Sequence, residues 1–393
     1  MKTVAENKKS ALISQNITPP GAITEVYTTK ERSTMNSTLS NNPAVVIGID
    51  LAKTHCDVVG YDKNQKIVLK LPRISKEKLL ERLTNMPRAT VLMEACGGSH
   101  SFIRKVKALG HDGRLVNPGD VKRIRCGHQK NNMLDAAYIA WAWYIPGISF
   151  VAPKTQAQQD LQSLQRIYQG YMKTRIEFGN RIHALLLEYG LSSPQTSRFI
   201  AEQLPEFIET HTKDLTPLAE EALLMLRDSW LEASEWEKKA GQKYDELVRA
   251  NEDSKRLMTI PGIGPKCAGA LLTHCGEASR FRDSRQFAAS LGLVPRQNST
   301  GDRDTLGHIT KRGPKHPRSM LVQGASALMI MADRLEGALG EWVRKIKASG
   351  KKYGVKVCAI AAKLARIAWR ILCEKGMEYR PQPIKAGRSR AAA

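Results

Sequence analysis

Apolar residues fall into short strand-like blocks between residues 45 and 116, then recur at helical intervals through most of the remaining chain. The first block, Val45-Val46-Ile47-Gly48-Ile49-Asp50, reads as an apolar strand ending in a carboxylate. Similar runs follow at His55 to Tyr61 and Lys66 to Leu71, and the short gaps between them predict an antiparallel meander. From Ser75 the spacing turns helical through Lys78 to Leu83, then gives a strand at Thr90 to Met93 and a helix at Phe102 to Leu109. A strand at Gly113 to Val116 and a helix from Met133 to Tyr144 complete the series.

Three strands followed by alternating helix and strand predict a mixed sheet flanked by helices, the order found in ribonuclease-H-like nucleases. Residues 156 to 189 carry Leu161, Leu164, Ile167, Tyr171, Ile176, Ile182 and Leu185 at spacings near three and four, which predicts one long helix. A second is predicted from Leu215 to Val248, with Leu218, Leu223, Leu226, Trp230 and Trp236. Such a pair suits a hairpin or coiled coil, serving either as a spacer or as a dimerisation element. The expected division is therefore a mixed α/β domain over 44–152, a helical spacer over 153–254 and a mainly helical domain over 255–380 that ends in a basic amphipathic helix, Lys356 to Cys373. Residues 1–43, rich in Lys, Asn, Ser and Thr, read as a disordered arm, and 381–393 as a flexible tail.

A chain of 393 residues exceeds what one core usually holds, which agrees with more than one domain. The formal charge of +23 demands a polyanionic partner, nucleic acid first and a membrane surface second. No apolar run reaches the roughly 18 to 20 residues of a spanning helix, and the first residues lack a secretory core, so a cytoplasmic protein is expected. Seven scattered cysteines with no C-x-x-C pair read as reduced thiols.

Three carboxylates are candidates for metal chemistry. Asp50 ends the first candidate strand and Glu94 the fourth, where the two could lie side by side on a sheet, and Asp135 opens the following helix and could complete the cluster. Phosphodiester chemistry with two divalent ions needs several such groups converging on one point, although a lone acid at a strand end is also an ordinary solvated cap. In the distal half, Met258 to Pro265 followed by an Ala-rich helix has the form of a helix-hairpin-helix, in which Gly262 and Gly264 would present backbone N–H groups to a phosphate. A plain Gly-Pro turn is the alternative. Further on, Ser299 lies in a loop flanked by glycine, with Arg296, Arg303, Lys311, Arg312 and Arg318 around it. These are the ingredients for attack on a phosphodiester with cations on the phosphoryl oxygens, or simply a turn-forming serine. His308 and His316 read as loop residues or phosphate donors before general bases.

The segments Gly48-Ile49-Asp50-Leu51-Ala52-Lys53, Met93-Glu94-Ala95-Cys96-Gly97-Gly98-Ser99-His100 and Lys130-Asn131-Asn132-Met133-Leu134-Asp135-Ala136 resemble the DEDD transposases and the related pilin-gene invertases. The resemblance covers roughly 45 to 380. It implies a RuvC-like catalytic domain that holds Mg2+, two ions, through Asp50, Glu94 and Asp135. It also implies a serine domain in which Ser299, or Thr300 in its place, forms a phosphoserine link to DNA. Donor and target DNA, a structured noncoding guide RNA, a homo-oligomer (dimer or tetramer) and a bacterial, nucleoid-associated setting follow from the same likeness. One position departs from it: Asn132 stands where the family carries the first of two aspartates three residues apart, and a neutral amide removes one negative charge and some magnesium affinity. A junction nuclease using metal-activated water, and a non-catalytic nucleic-acid-binding derivative, are the competing readings.

Overall fold

The computed structural model describes residues 43–125, 131–148, 150–300 and 303–381, with backbone alone at 299, 300, 303 and 304. The expected arm up to residue 42, Cys126, Gly301 and the tail beyond 381 lie outside the described residues. The chain divides into two compact units, Met1–Thr155 and Gln156–Ala393.

The first unit is a six-stranded sheet with helices on both faces. Its strands are β1 (Val46–Leu51), β2 (His55–Tyr61), β3 (Ile67–Ser75), β4 (Thr90–Glu94), β5 (Asp112–Val116) and β6 (Phe150–Val151), in the order β3-β2-β1-β4-β5-β6. The meander β1–β3 is antiparallel, β4 and β5 run parallel to β1, and β6 is antiparallel to β5. The strand β3 runs four residues beyond the expected Leu71, because a bulge lets the Asp57 carboxylate accept the Arg73 N–H at 3.1 Å while Arg73 takes φ 48°. Helices α1 (Lys76–Thr84), α2 (Ser99–Ala108), α3 (Pro118–Ile124) and α4 (Asn132–Trp141) complete the unit. Alternation in β1 sorts its residues: Ile47 and Ile49 join the core shared with α1 and α2, whereas Val46 joins the core shared with α3 and α4.

The second unit begins with two long helices, α5 (Gln156–Glu188) and α7 (Pro217–Ala250), joined through a short π-helical turn and α6 (Leu204–Thr210). They run antiparallel, since contacts pass from Tyr168 with Gly241 through Arg175 with Glu237 to Gly179 with Trp230. Thr216 caps α7 by accepting from Ala219 N, with Pro217 in the first turn. One end of this hairpin is closed by Ile182, Leu186, Phe199, Leu204 and Leu223. At the other, Leu161, Tyr244 and Val248 join the core of the C-terminal helices, so the hairpin and those helices share buried side chains. Ile167, Ile176, Leu218 and Trp236, apolar positions of the sequence pattern, remain 46–75% exposed.

The C-terminal helices are α8 (Glu252–Met258), α9 (Pro265–Cys275), α10 (Ser284–Ser290), α11 (Lys315–Ile330), α12 (Gly337–Ala348) and α13 (Tyr353–Cys373), and a hairpin of β7 (Pro295–Thr300) with β8 (Arg303–Ile309) lies between α10 and α11. The turn from α8 to α9 crosses α11 at closest approach. Gly262 has φ 82°, and a Cβ on Gly324 would stand 2.1 Å from the Gly262 carbonyl oxygen. Gly324→Ala is therefore expected to destabilise this unit by about 2–3 kcal/mol in urea unfolding. Gly264→Ala, with open space around its Cβ, should leave the midpoint in place. No helix of the described residues is long and apolar enough to cross a membrane. Cys267 and Cys275 are buried, and burial pushes both thiols up to about 12, which suits core packing rather than reactivity.

Candidate active site

The strands β1 and β4 are parallel neighbours in a register that pairs Gly48 with Leu92 and Ile49 with Met93. The next residues along the two strands are Asp50 and Glu94. Val46 and Leu92 both pack in the core beneath α4, so Asp50 and Glu94, an even number of residues further on, belong to that same face. Helix α4 lies on this face at unusually short range: a Cβ on Gly48 would fall 2.1 Å from the Ala136 carbonyl oxygen and 2.5 Å from the Ala140 nitrogen. A bare glycine in mid-strand is what allows that approach.

The start of α4 is fixed by Asn131, whose Oδ1 accepts from Met133 N at 3.0 Å. Asp135 consequently sits in the first turn, 7% exposed, while Asn132 one turn earlier is exposed. Asp135 has a cationic partner that the sequence reading did not single out. Arg125, which caps the C-terminus of α3, donates from Nη1 to Oδ1 at 3.0 Å and to Oδ2 at 3.2 Å.

Electrostatics link Glu94 with Asp135, and Glu94 and Asp50 with Cys96. The Glu94 carboxyl is raised above the usual range, first by burial and then by the Asp135 charge, with Arg125 opposing. Burial likewise raises the Cys96 thiol, and the charges of Glu94 and Asp50 add to it. Among the described residues, no three His, Cys, Asp or Glu side chains are grouped closely enough to hold one metal ion. Carboxylate oxygens are the donors a hard divalent cation takes, and the Arg125 guanidinium already stands as a cation against Asp135 and acts on Glu94.

Ser299 is not in a loop. It lies on β7 with its backbone paired to Asp304, one pair before Thr300 with Arg303, because Gln297–Thr300 forms a regular ladder with β8 beyond a register shift at Arg296. Arg296, His308, Lys311 and Arg312 are exposed along the hairpin and its base. Arg318 differs from them. Its Nη1 donates to Leu291 O and Lys311 O, both at 3.1 Å, bracing the loops on either side of the hairpin. Gly313, φ 92°, belongs to the same brace, for its Cβ would stand 2.0 Å from Ser290 O. His316 is bonded to Gln169, and burial lowers its pKa. Gly264 precedes Pro265 at the open start of α9, whereas Gly262 packs against Gly324.

The acids belong to the first unit and the serine hairpin to the second. Arg125, Gly48 and the brace of Arg318 escaped the sequence reading. An isolated glycine within an apolar strand was the available signal for Gly48.

Comparison with known proteins matches both units. A model described as "Transposase IS116/IS110/IS902 family" matches residues 254–338, and a DEDD-type model described as "Transposase" matches 47–191. A transposase for insertion sequence element IS1328 of Yersinia enterocolitica is 36% identical over 324 residues, 82% of this chain and 95% of its own length. The transposase for insertion sequence element IS1111A of Coxiella burnetii is 32% identical, across 83% of this chain and 89% of its own. A pilin gene-inverting protein of Moraxella bovis is 30% identical over 123 residues, 31% of this chain and 37% of its own.

Proposed function

Because this chain belongs to the IS116/IS110/IS902 family of insertion-sequence transposases, we propose that it recombines DNA through the carboxylates of its first unit and a serine of its second. The observation that carries the reading is the register of β1 and β4, with Asp50 and Glu94 succeeding the pair Ile49–Met93 on the face that α4 covers. The six-stranded order fits a ribonuclease-H-like, RuvC-like domain. Asp50, Glu94 and Asp135 would hold Mg2+, which when bound supplies positive charge to the scissile phosphate and lowers the barrier to attack on phosphorus.

This chain's own residues do the rest. Asn131 and Gly48 set the height of α4 and thereby the position of Asp135. The hydroxyl of Ser299 attacks phosphorus and gives up its proton, forming an Oγ–P bond while the P–O bond to the departing sugar breaks and that oxygen takes up a proton, so no net proton is consumed. Attack by a sugar hydroxyl on the phosphoserine reverses the step and releases the serine, so joining consumes no external energy. Arg296, Arg303, Lys311 and Arg312 hold the phosphates, and Arg318 keeps the hairpin base in shape. The apolar positions left exposed on α5 and α7 suit a homo-oligomer, dimer or tetramer, in which one subunit's acids meet another's serine. A surplus of 23 positive charges suits simultaneous binding of DNA and a structured guide RNA in the bacterial cytoplasm, beside the nucleoid.

A plasmid recombination assay tests the reading. Asp50→Asn is expected to lower product by about a hundredfold or more with DNA binding retained in a gel shift. Full activity in that variant would refute the carboxylate site. Asn132→Asp is expected to raise activity, since it returns a charged ligand to an exposed position one turn before Asp135 and adds an acid at a helix N-terminus. Absence of any rise would favour a nucleic-acid-binding role over a weakened enzyme.

A further inference from the structure

We infer that Arg125 is a displaceable counter-ion of the carboxylate site: its guanidinium holds Asp135 while no divalent cation is bound, and gives it up when one binds. This rests on the carboxylate reading above. The Asp135 side chain is only 10% exposed, and a carboxylate so placed needs a compensating charge in every state of the site. Arg125 supplies it, and its field also acts on Glu94 against the push of Asp135.

The geometry of the contact favours release over permanence. One nitrogen, Nη1, serves both carboxylate oxygens, at 3.0 and 3.2 Å. That arrangement lacks the two parallel bonds of the strong fork-to-fork pair. The Arg125 side chain is 36% exposed and is carried at the end of a seven-residue helix, so its head can pass to water without unpacking the core. A divalent cation ligated by Asp135 would occupy the same oxygens and repel the guanidinium. The neighbouring Arg123 is paired with Asp120 on its own helix. Arg125 therefore sets a threshold for occupancy of the acids.

Manganese binding to the full-length chain, measured by titration calorimetry, tests this without reference to activity. Arg125→Gln should tighten Mn2+ by about tenfold, the worth of one charged hydrogen bond, while Arg125→Lys stays near the unmutated value. Unchanged or weaker binding in Arg125→Gln would overturn the inference and make the arginine a fixed positioning group. The second measurement uses the unmutated protein: Mg2+ should raise the labelling of Arg125 by phenylglyoxal severalfold, read by peptide mass spectrometry, and unaltered or reduced labelling overturns the inference equally. Asp50→Asn and Asp135→Asn separate the two levels. If Mn2+ binding survives both, the carboxylate reading fails. If they abolish it while Arg125→Gln changes nothing, only the role of Arg125 fails.

Discussion

Gly48→Ala should unfold or severely loosen the first unit, with a loss of at least about 4 kcal/mol in chemical denaturation, although only one methyl group is added. The new carbon would enter a space already held by the Ala136 carbonyl oxygen at 2.1 Å, the Ala140 nitrogen at 2.5 Å and the Ala140 Cβ at 2.8 Å. Two of the three obstacles are backbone atoms within a helix, which cannot turn aside as a flexible side chain would. Either α4 lifts from the sheet or β1 shifts in register, and a one-residue shift would move Asp50 to the opposite face. Activity and stability should thus fall together. Gly97→Ala is the matched control, because nothing lies within 4 Å of its Cβ, and it should melt with the unmutated protein. A Gly48→Ala protein of native stability would show that α4 does not sit against β1, and the placement of Asp135 beside Asp50 and Glu94 would go with it.

That dependence explains how much of the site was legible in the sequence. Strand alternation and the carboxylates at Asp50 and Glu94 could be read directly, since period-two burial and a polar terminus are local properties. Their adjacency could not, because it depends on which strands pair and in what register. Asp135 was visible as an acid opening a helix, but its height above the sheet is fixed by Gly48 and by the cap at Asn131. Arg125 was hidden among three nearby cations. Lys122, Arg123 and Arg125 look equivalent along the chain, yet Arg123 turns back to Asp120 while Arg125 crosses to another helix. The two-residue β6 was missed because so short a strand displays no period. The serine hairpin was read as a loop for a related reason: polar and charged residues on both strands of an exposed ribbon leave no apolar face to reveal the alternation.

Ser299→Ala should abolish the covalent joining of this protein to DNA. Incubated with a cleavable substrate and Mg2+ and quenched in detergent, the unmutated chain should give a slow-migrating, protease-sensitive adduct. In Ser299→Ala that band should fall by on the order of a thousandfold or more, as when a nucleophile is lost from a catalytic unit. Thr300→Ala should keep it. The hairpin register makes the distinction a sharp one, for Ser299 pairs with Asp304 and Thr300 with Arg303, and consecutive strand positions belong to opposite faces of a ribbon. An adduct that survives in Ser299→Ala but vanishes in Thr300→Ala would move the nucleophile by one residue and reverse the face of β7 that meets DNA. Cleavage that persists in Ser299→Ala with no adduct would point instead to hydrolysis by water, and the carboxylate unit would then act as a junction nuclease needing only phosphate binding from the hairpin. Loss of DNA binding in Ser299→Ala is not expected, because Arg296, Lys311 and Arg312 are untouched and carry the charge that holds phosphate.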